Sequence, residues 1–163
     1  MSQIKIIPVN NFPSIYESDR GASYIVDLLF DLAKVIDGDI IVIGQKIISK
    51  IEGRSVKISD VKPSETALQL AKEVNKDPRL VELILSESIR IVRSAPGVLI
   101  VETHHGFICA NAGIDRSNVF GDGIFLKLPE NPDRTAMEIS ERIKSIYGLE
   151  VGVIISDSFN RPW

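Results

Sequence analysis

Two strand-like apolar runs, Val98 to Thr103 and Phe107 to Ala110, are separated only by His104-His105-Gly106. A three-residue connection containing a glycine is a hairpin connection, so these runs pair antiparallel. This excludes a purely parallel, doubly wound sheet. Strands and helices elsewhere in the chain mix without strict alternation, and the fold class that follows is α+β: a mixed sheet with flanking helices and at least one hairpin. His104 and His105 are the only histidines. Adjacent residues on a strand face opposite ways, so they read as surface turn residues rather than a metal pair.

The remaining elements follow from periodicity. Ile4 to Val9 reads as a first strand, stopped by Asn10-Asn11 and Pro13. Tyr24 to Ile36 carries Ile25, Leu28, Leu29, Leu32, Val35 and Ile36 at helical spacing. Ile40 to Ile43 is a continuous apolar run and is expected to be a strand covered on both faces. Ile47 to Ile51 suits a short helix bearing Ser49 and Lys50, and Ser55 to Ile58 a weak strand. Pro63-Ser64-Glu65 opens a helix to about Val74, with Ala67, Leu68, Ala71 and Val74 inward. Asp77-Pro78 starts another to about Ser86, because Asp can cap free amides and Pro suits the first turn. Ile89 to Arg93 alternates as a strand does, and Pro96-Gly97 turns the chain. Asp133 is expected to cap a helix over Arg134 to Tyr147, closed by Gly148. Val151 to Ile155 is a final buried strand.

The chain has 163 residues, suited to one domain or one and a half, and 44% are hydrophobic, enough for a substantial core. The formal net charge of −3 gives no argument for a nucleic-acid partner. A single cysteine, Cys109, lies in an apolar run and reads as a buried free thiol. No segment has the apolar length of a membrane span, and Met1-Ser2-Gln3-Ile4-Lys5 lacks a signal-peptide pattern, so a soluble, cytoplasmic protein is expected. The chain stops at Arg161-Pro162-Trp163, directly after a strand and its polar loop, and this reads as a cut.

Two strand ends offer chemistry. Phe107 to Ala110 runs into Asn111-Ala112-Gly113-Ile114-Asp115-Arg116-Ser117-Asn118-Val119, and Val151 to Ile155 into Ser156-Asp157-Ser158-Phe159-Asn160-Arg161. Each presents an Asp beside hydroxyl and amide groups. Together they suit one oxygen-rich site for a hard cation, although the same residues also serve ordinary turns. Lys50 can meet a phosphate as a point charge or stand as a solvated lysine. There is no Gly-x-x-x-x-Gly-Lys-[Ser/Thr] stretch, so no P-loop.

The ordered set of short motifs resembles the coenzyme F420-0:γ-glutamyl ligase family. It comprises Pro8-Val9 with Phe12-Pro13, Gly38-Asp39, Ile48-Ser49-Lys50 with Glu52-Gly53-Arg54, and Pro63-Ser64-Glu65. Its strongest members are Asn111 to Asp115 with Ser117-Asn118-Val119, and Val151 to Ile155 with Asp157 and Asn160-Arg161-Pro162-Trp163. The resemblance implies a mixed α+β homodimer and GTP-dependent addition of L-glutamate to a deazaflavin coenzyme precursor through γ-linked amide bonds. It further implies Mg²⁺ or Mn²⁺, helped by K⁺. Asp115, Asp157 and Ser158 match metal-binding positions, although the family often has Thr at the last. Phe12, Pro13, Ser14, Ile15 and Asn118 match nucleotide contacts, as do Gln45, Lys46 and Lys50, of which Gln45 and Lys46 sit in a variable stretch. Family members continue beyond the Arg-Pro-Trp stretch, so residues 1–163 are expected to be the N-terminal portion, truncated after Trp163.

Phosphorylating a carboxylate so that an amine can displace the phosphate needs cations to offset charge on the phosphate oxygens. Asp115, Asp157 and Ser158 have the oxygens for that. Two other readings stay open: a nucleotide- or metal-binding module without catalysis, and a structural dimerisation domain. Under the ligase reading, Asp115 and Asp157 share one or two cations, the chain self-associates, and this chain alone does not ligate glutamate.

Overall fold

A parallel strand pair joins an early segment of the chain to a late one. In the computed structural model, which describes residues 4–15, 21–116 and 123–157, β1 (Ile40–Gly44) pairs with β7 (Gly152–Ser156) from Ile40↔Gly152 to Gly44↔Ser156. Between them the chain forms α2 (Gln45–Ile51), β2 (Ser55–Lys57), α3 (Glu65–Val74), α4 (Pro78–Ser86), β3 (Ser88–Ala95), β4 (Val98–Thr103), β5 (Ile108–Ala110), β6 (Ile124–Leu126) and α5 (Pro132–Tyr147), with α1 (Ala22–Leu32) before them. β3, β4 and β5 form an antiparallel meander containing the expected hairpin, and β2 pairs antiparallel with β6. The fold is α+β. No helix among the described residues is long and apolar enough to cross a membrane.

Helix boundaries follow cap chemistry. Ser64 Oγ accepts the Ala67 amide at the start of α3, and Asp77 Oδ1 accepts the Arg79 amide at 2.8 Å with Pro78 in the first turn of α4. At α5 the cap is Asn131, which accepts the Arg134 amide at 3.0 Å, and the helix begins at Pro132. The expected cap, Asp133, is therefore inside the first turn, because Asn131-Pro132 supplies the same cap-then-proline arrangement earlier. Gly148 closes α5 at φ 69°. Helix α1 stops at Leu32, short of the expected Ile36, whose amide bonds the Asp39 carboxylate instead.

Burial corrects three expectations. Strand β1 is covered on one face only: Ile43 is buried while Ile40 and Val42 are 67% and 64% exposed, and Ile154 of β7 is half-exposed. In α3, Leu70 takes the inward place expected of Leu68, since Ala67, Leu70, Ala71 and Val74 share the buried stripe. Ile4 to Val9 is not a strand. It runs beside β1 without ladder bonds, with Ile4 and Ile6 each 89% exposed; Pro8 has no amide to donate.

Two apolar cores result. One gathers Ile25, Val26 and Leu29 of α1, Ile43, Ile48, Ile51, and Ile139 and Ile143 of α5. The other packs α3 and α4 on β4 through Leu70, Val74, Val81, Ile84, Leu99 and Val101. They are joined by charge. Arg54 and Lys127 both pair with Glu87, at 2.7 Å each, with all three side chains less than one-fifth exposed, and Arg54 Nε donates to Leu128 O.

The Asp77 cap gives a test. The side-chain bond from Arg79 holds its carboxyl below the usual range. A carboxyl depressed by folding stabilises above its unfolded pKa, and that contribution fades as pH falls through the folded value. Asp77→Ala is expected to cost about 1 kcal/mol at neutral pH. The gap between variant and parent in thermal melts should narrow toward pH 3.

Candidate functional site

The turn after β5 is unusual in its backbone. Asn111, Ala112 and Gly113 all have positive φ, at 53°, 55° and 68°. A side chain at Gly113 would meet Leu128 at 2.9 Å. Non-glycine residues in this region are strained by about 1–3 kcal/mol each. The strain is held by packing, since Ala112 is 1% exposed and belongs to the second core. The turn delivers Asp115 to β6, where its amide donates to Leu126 O at 3.0 Å and its carbonyl accepts the Leu126 amide at 2.9 Å. The backbone of Asp115 is thus fixed on both sides.

Its carboxylate meets Lys46, whose ammonium forms an ion pair with Asp115 Oδ2. Lys46 is the second residue of α2, which begins directly at the end of β1. The register Gly44↔Ser156 sets Asp157, the residue after β7, beside that same strand end. Asp157 is exposed, and its negative charge reaches Cys109 in β5, the strand that leads into the Asn111 turn. Asp115 is thus placed against Lys46 in the first turn of α2, and Asp157 follows the strand that pairs with β1, the strand that leads into α2.

The other sequence-derived residues divide. Lys46 and Lys50 lie one turn apart on one face of α2. Gln45 is buried, accepting the Ser49 hydroxyl at 2.9 Å. Phe12 packs against the first core, Ile15 is buried in it, and Pro13 and Ser14 are exposed. Asn118 and Ser158 lie outside the described residues. The histidines serve the fold. His104 donates to Ser86 O, and His105 Nε2 donates to Pro129 O at 2.8 Å, docking the hairpin turn against the segment before α5. His105 is thus only partly a surface turn residue, and its Nδ1 is buried.

A hard divalent cation fits the chemistry of this region. Asp115 already holds a positive group on one oxygen, and Asp157 adds a second carboxylate at the neighbouring strand end. Among the described residues no group of three or more His, Cys, Asp or Glu side chains that could hold a metal ion forms. Nothing in local sequence signalled the Lys46–Asp115 contact, which spans separate elements; nor did it signal the Arg54–Glu87–Lys127 network.

Two outcomes check the geometry. Burial first, and then the Asp157 charge, push the Cys109 thiol up, while a bond from the Gly113 amide opposes them. A thiol raised by folding stabilises the fold below its unfolded pKa, and that contribution is lost as pH rises through the folded value. Cys109 should therefore alkylate slowly at pH 8, and Asp157→Asn should speed the reaction without altering the melting temperature. Gly113→Ala should destabilise by about 1–3 kcal/mol in denaturant titrations, through positive φ and the clash with Leu128.

Residues 10–163 match the family model described as F420-0:Gamma-glutamyl ligase. The chain is 44% identical over 161 residues to the coenzyme F420:L-glutamate ligase of Methanothermobacter thermautotrophicus, covering 98% of this chain and 64% of that protein. It is 48% identical over 127 residues to the one from Methanocaldococcus jannaschii, covering 78% of this chain and 50% of the relative. With that of Methanopyrus kandleri it shares 41% identity over 144 residues, covering 88% and 57%. The chain thus spans between one half and two thirds of the length of these relatives. With its α+β fold, its ordered motifs and this match over nearly its whole length, the chain belongs to the F420-0:γ-glutamyl ligase family.

Proposed function

We propose that this chain carries part of the site of a GTP-dependent ligase that joins L-glutamate to coenzyme F420-0 through γ-linked amide bonds. The observation that carries the reading is the meeting of Lys46 with Asp115 beside the end of β7, in a chain of this family. A carboxylate oxygen of the deazaflavin substrate attacks the γ-phosphorus of GTP, and GDP leaves. The glutamate amine then attacks the acyl carbon, inorganic phosphate leaves, and the amine proton passes to a base. Asp115, Asp157 and Ser158 hold Mg²⁺ or Mn²⁺, which supplies charge neutralisation at the phosphate oxygens. Lys46 and Lys50 add positive charge to the same phosphates from one face of α2. Phe12 to Ile15, Gln45 and Asn118 belong to the nucleotide's surroundings, and K⁺ assists.

The relatives are longer than this chain, so turnover belongs to the longer protein, and residues 1–163 alone bind nucleotide weakly without ligating. Losing part of the grip on a substrate misplaces it, and about 1 Å of misplacement can cost roughly a hundredfold. Exposed Ile40, Val42 and Ile154 support self-association, as apolar patches of this kind take partners.

The reading is tested by calorimetric titration of Mn²⁺ with and without GDP. Mn²⁺ and GDP should each strengthen binding of the other, and Asp115→Asn should weaken Mn²⁺ at least 10-fold, within about the 10–100-fold typical of damaged metal sites. A variant that binds both ligands as the parent does would leave Asp115 a turn residue and end the reading.

A further inference from the structure

We infer that Lys46 is shared between two ligands: it neutralises Asp115 until a divalent cation takes that carboxylate, and the released ammonium then serves a phosphate oxygen. The inference rests on the reading of Asp115 as a cation ligand and adds an order to it. Four observations carry it.

The first is the contact itself, an ammonium on Asp115 Oδ2. A divalent cation binds carboxylate oxygen at roughly 2.0–2.6 Å, so both cannot occupy that oxygen without two positive centres in repulsive proximity. The second is rigidity on one side. Asp115 is clamped to Leu126 by two backbone hydrogen bonds, whereas Lys46 reaches it along a flexible four-carbon stem. When a cation arrives, the lysine is the partner that moves. The third is the weakness of the pair, whose side chains are 32% and 31% exposed. Ion pairs that solvent reaches are held by little free energy, so exchange needs no unfolding. The fourth is the destination. Lys50 lies one turn further along the same face of α2, so a released Lys46 adds a second positive charge to that face, where an anion gains from both.

Sharing makes cation and phosphate binding mutually dependent, because each ligand favours the arrangement the other needs. Without Lys46 the dependence shrinks from both sides. The cation no longer displaces a competitor, and the nucleotide loses a charge.

The experiment titrates the chain with Mn²⁺ alone, then with GDP in saturating Mn²⁺, for the parent, Lys46→Met, Lys46→Arg and Asp115→Asn; thermal melts confirm folding. Lys46→Met should bind Mn²⁺ alone about 2–5-fold more tightly, the range expected for removing a solvent-exposed ion pair. It should bind GDP more weakly than the parent in Mn²⁺. Lys46→Arg, which keeps the charge, should hold Mn²⁺ at the parent's affinity and serves as the comparison should Lys46→Met fail to fold. If Arg binds Mn²⁺ several-fold more tightly than Lys, charge competition is not operating and the inference is overturned. If Asp115→Asn abolishes Mn²⁺ binding while Lys46→Met leaves it unchanged or weaker, the sharing is wrong and the cation reading stands. If Mn²⁺ binding is indifferent to Asp115→Asn, the cation reading itself fails.

Discussion

The parallel pairing of Ile40–Gly44 with Gly152–Ser156 is the constraint from which the candidate site derives. A parallel pair cannot be closed by a short turn, and here the intervening 107 positions hold most of the fold. The closure entropy of so long a connection grows only logarithmically with its length, yet it must be met by contacts formed late. Those contacts are the first core, where α1 and α5 pack against Ile43, Ile48 and Ile51. Strand register then does chemical work. Because Gly44 lies opposite Ser156, the first turn of α2 and the loop bearing Asp157 start from one edge of the sheet. A slip of one residue would turn the β7 side chains to the other face.

Polar contacts secure the joint between the two cores. Arg54 and Lys127, on segments flanking the β2–β6 pair, both reach Glu87 at the end of α4. A largely buried carboxylate facing two cations is satisfied only while both halves are in place, and losing one partner leaves charge in a poorly solvated place. The joint is therefore sensitive to relative position in a way that an oily contact would not be. Asp115 is bridged to Leu126, the last residue of β6 and the neighbour of Lys127, so the network that aligns the cores also fixes the strand end to which the candidate ligand is bonded.

What was legible in sequence was local. The hairpin at His104–Gly106, the caps at Ser64 and Asp77, the stop at Gly148 and the burial of Cys109 each depend on neighbours within a few positions, and each follows from turn or cap chemistry. Errors arose where distant partners decide. Ile40–Ile43 reads as doubly covered because it is uniformly apolar, but coverage depends on what packs above it. Ile4–Val9 reads as a strand, but no ladder forms along it. Asp133 lost its cap role to Asn131 because two adequate caps stood two positions apart and only one had proline directly behind it. Asp115 and Asp157 were found as a pair of similar loops, whereas Lys46, the group that touches Asp115, was reached only through family resemblance.

The left-handed run at Asn111–Gly113 shows why an unusual backbone belongs at this place. Asparagine and glycine tolerate positive φ; alanine does so at a cost. A relaxed sequence would remove that cost by replacing Ala112 with glycine, but the alanine methyl is buried among Val81, Ile84, Leu99 and Val101 and contributes packing that glycine would forfeit. Gly113, in turn, cannot carry a side chain because Leu128 closes over it. The turn is thus determined from both sides, by a methyl that must be present and one that must be absent. Its product is a fixed direction for the chain entering Asp115. A carboxylate that has to hold an ammonium, and on the reading above a divalent cation, benefits from a backbone with no freedom to follow either one. The strained alanine between two residues that tolerate positive φ is the cost of that rigidity, and the second core offsets it.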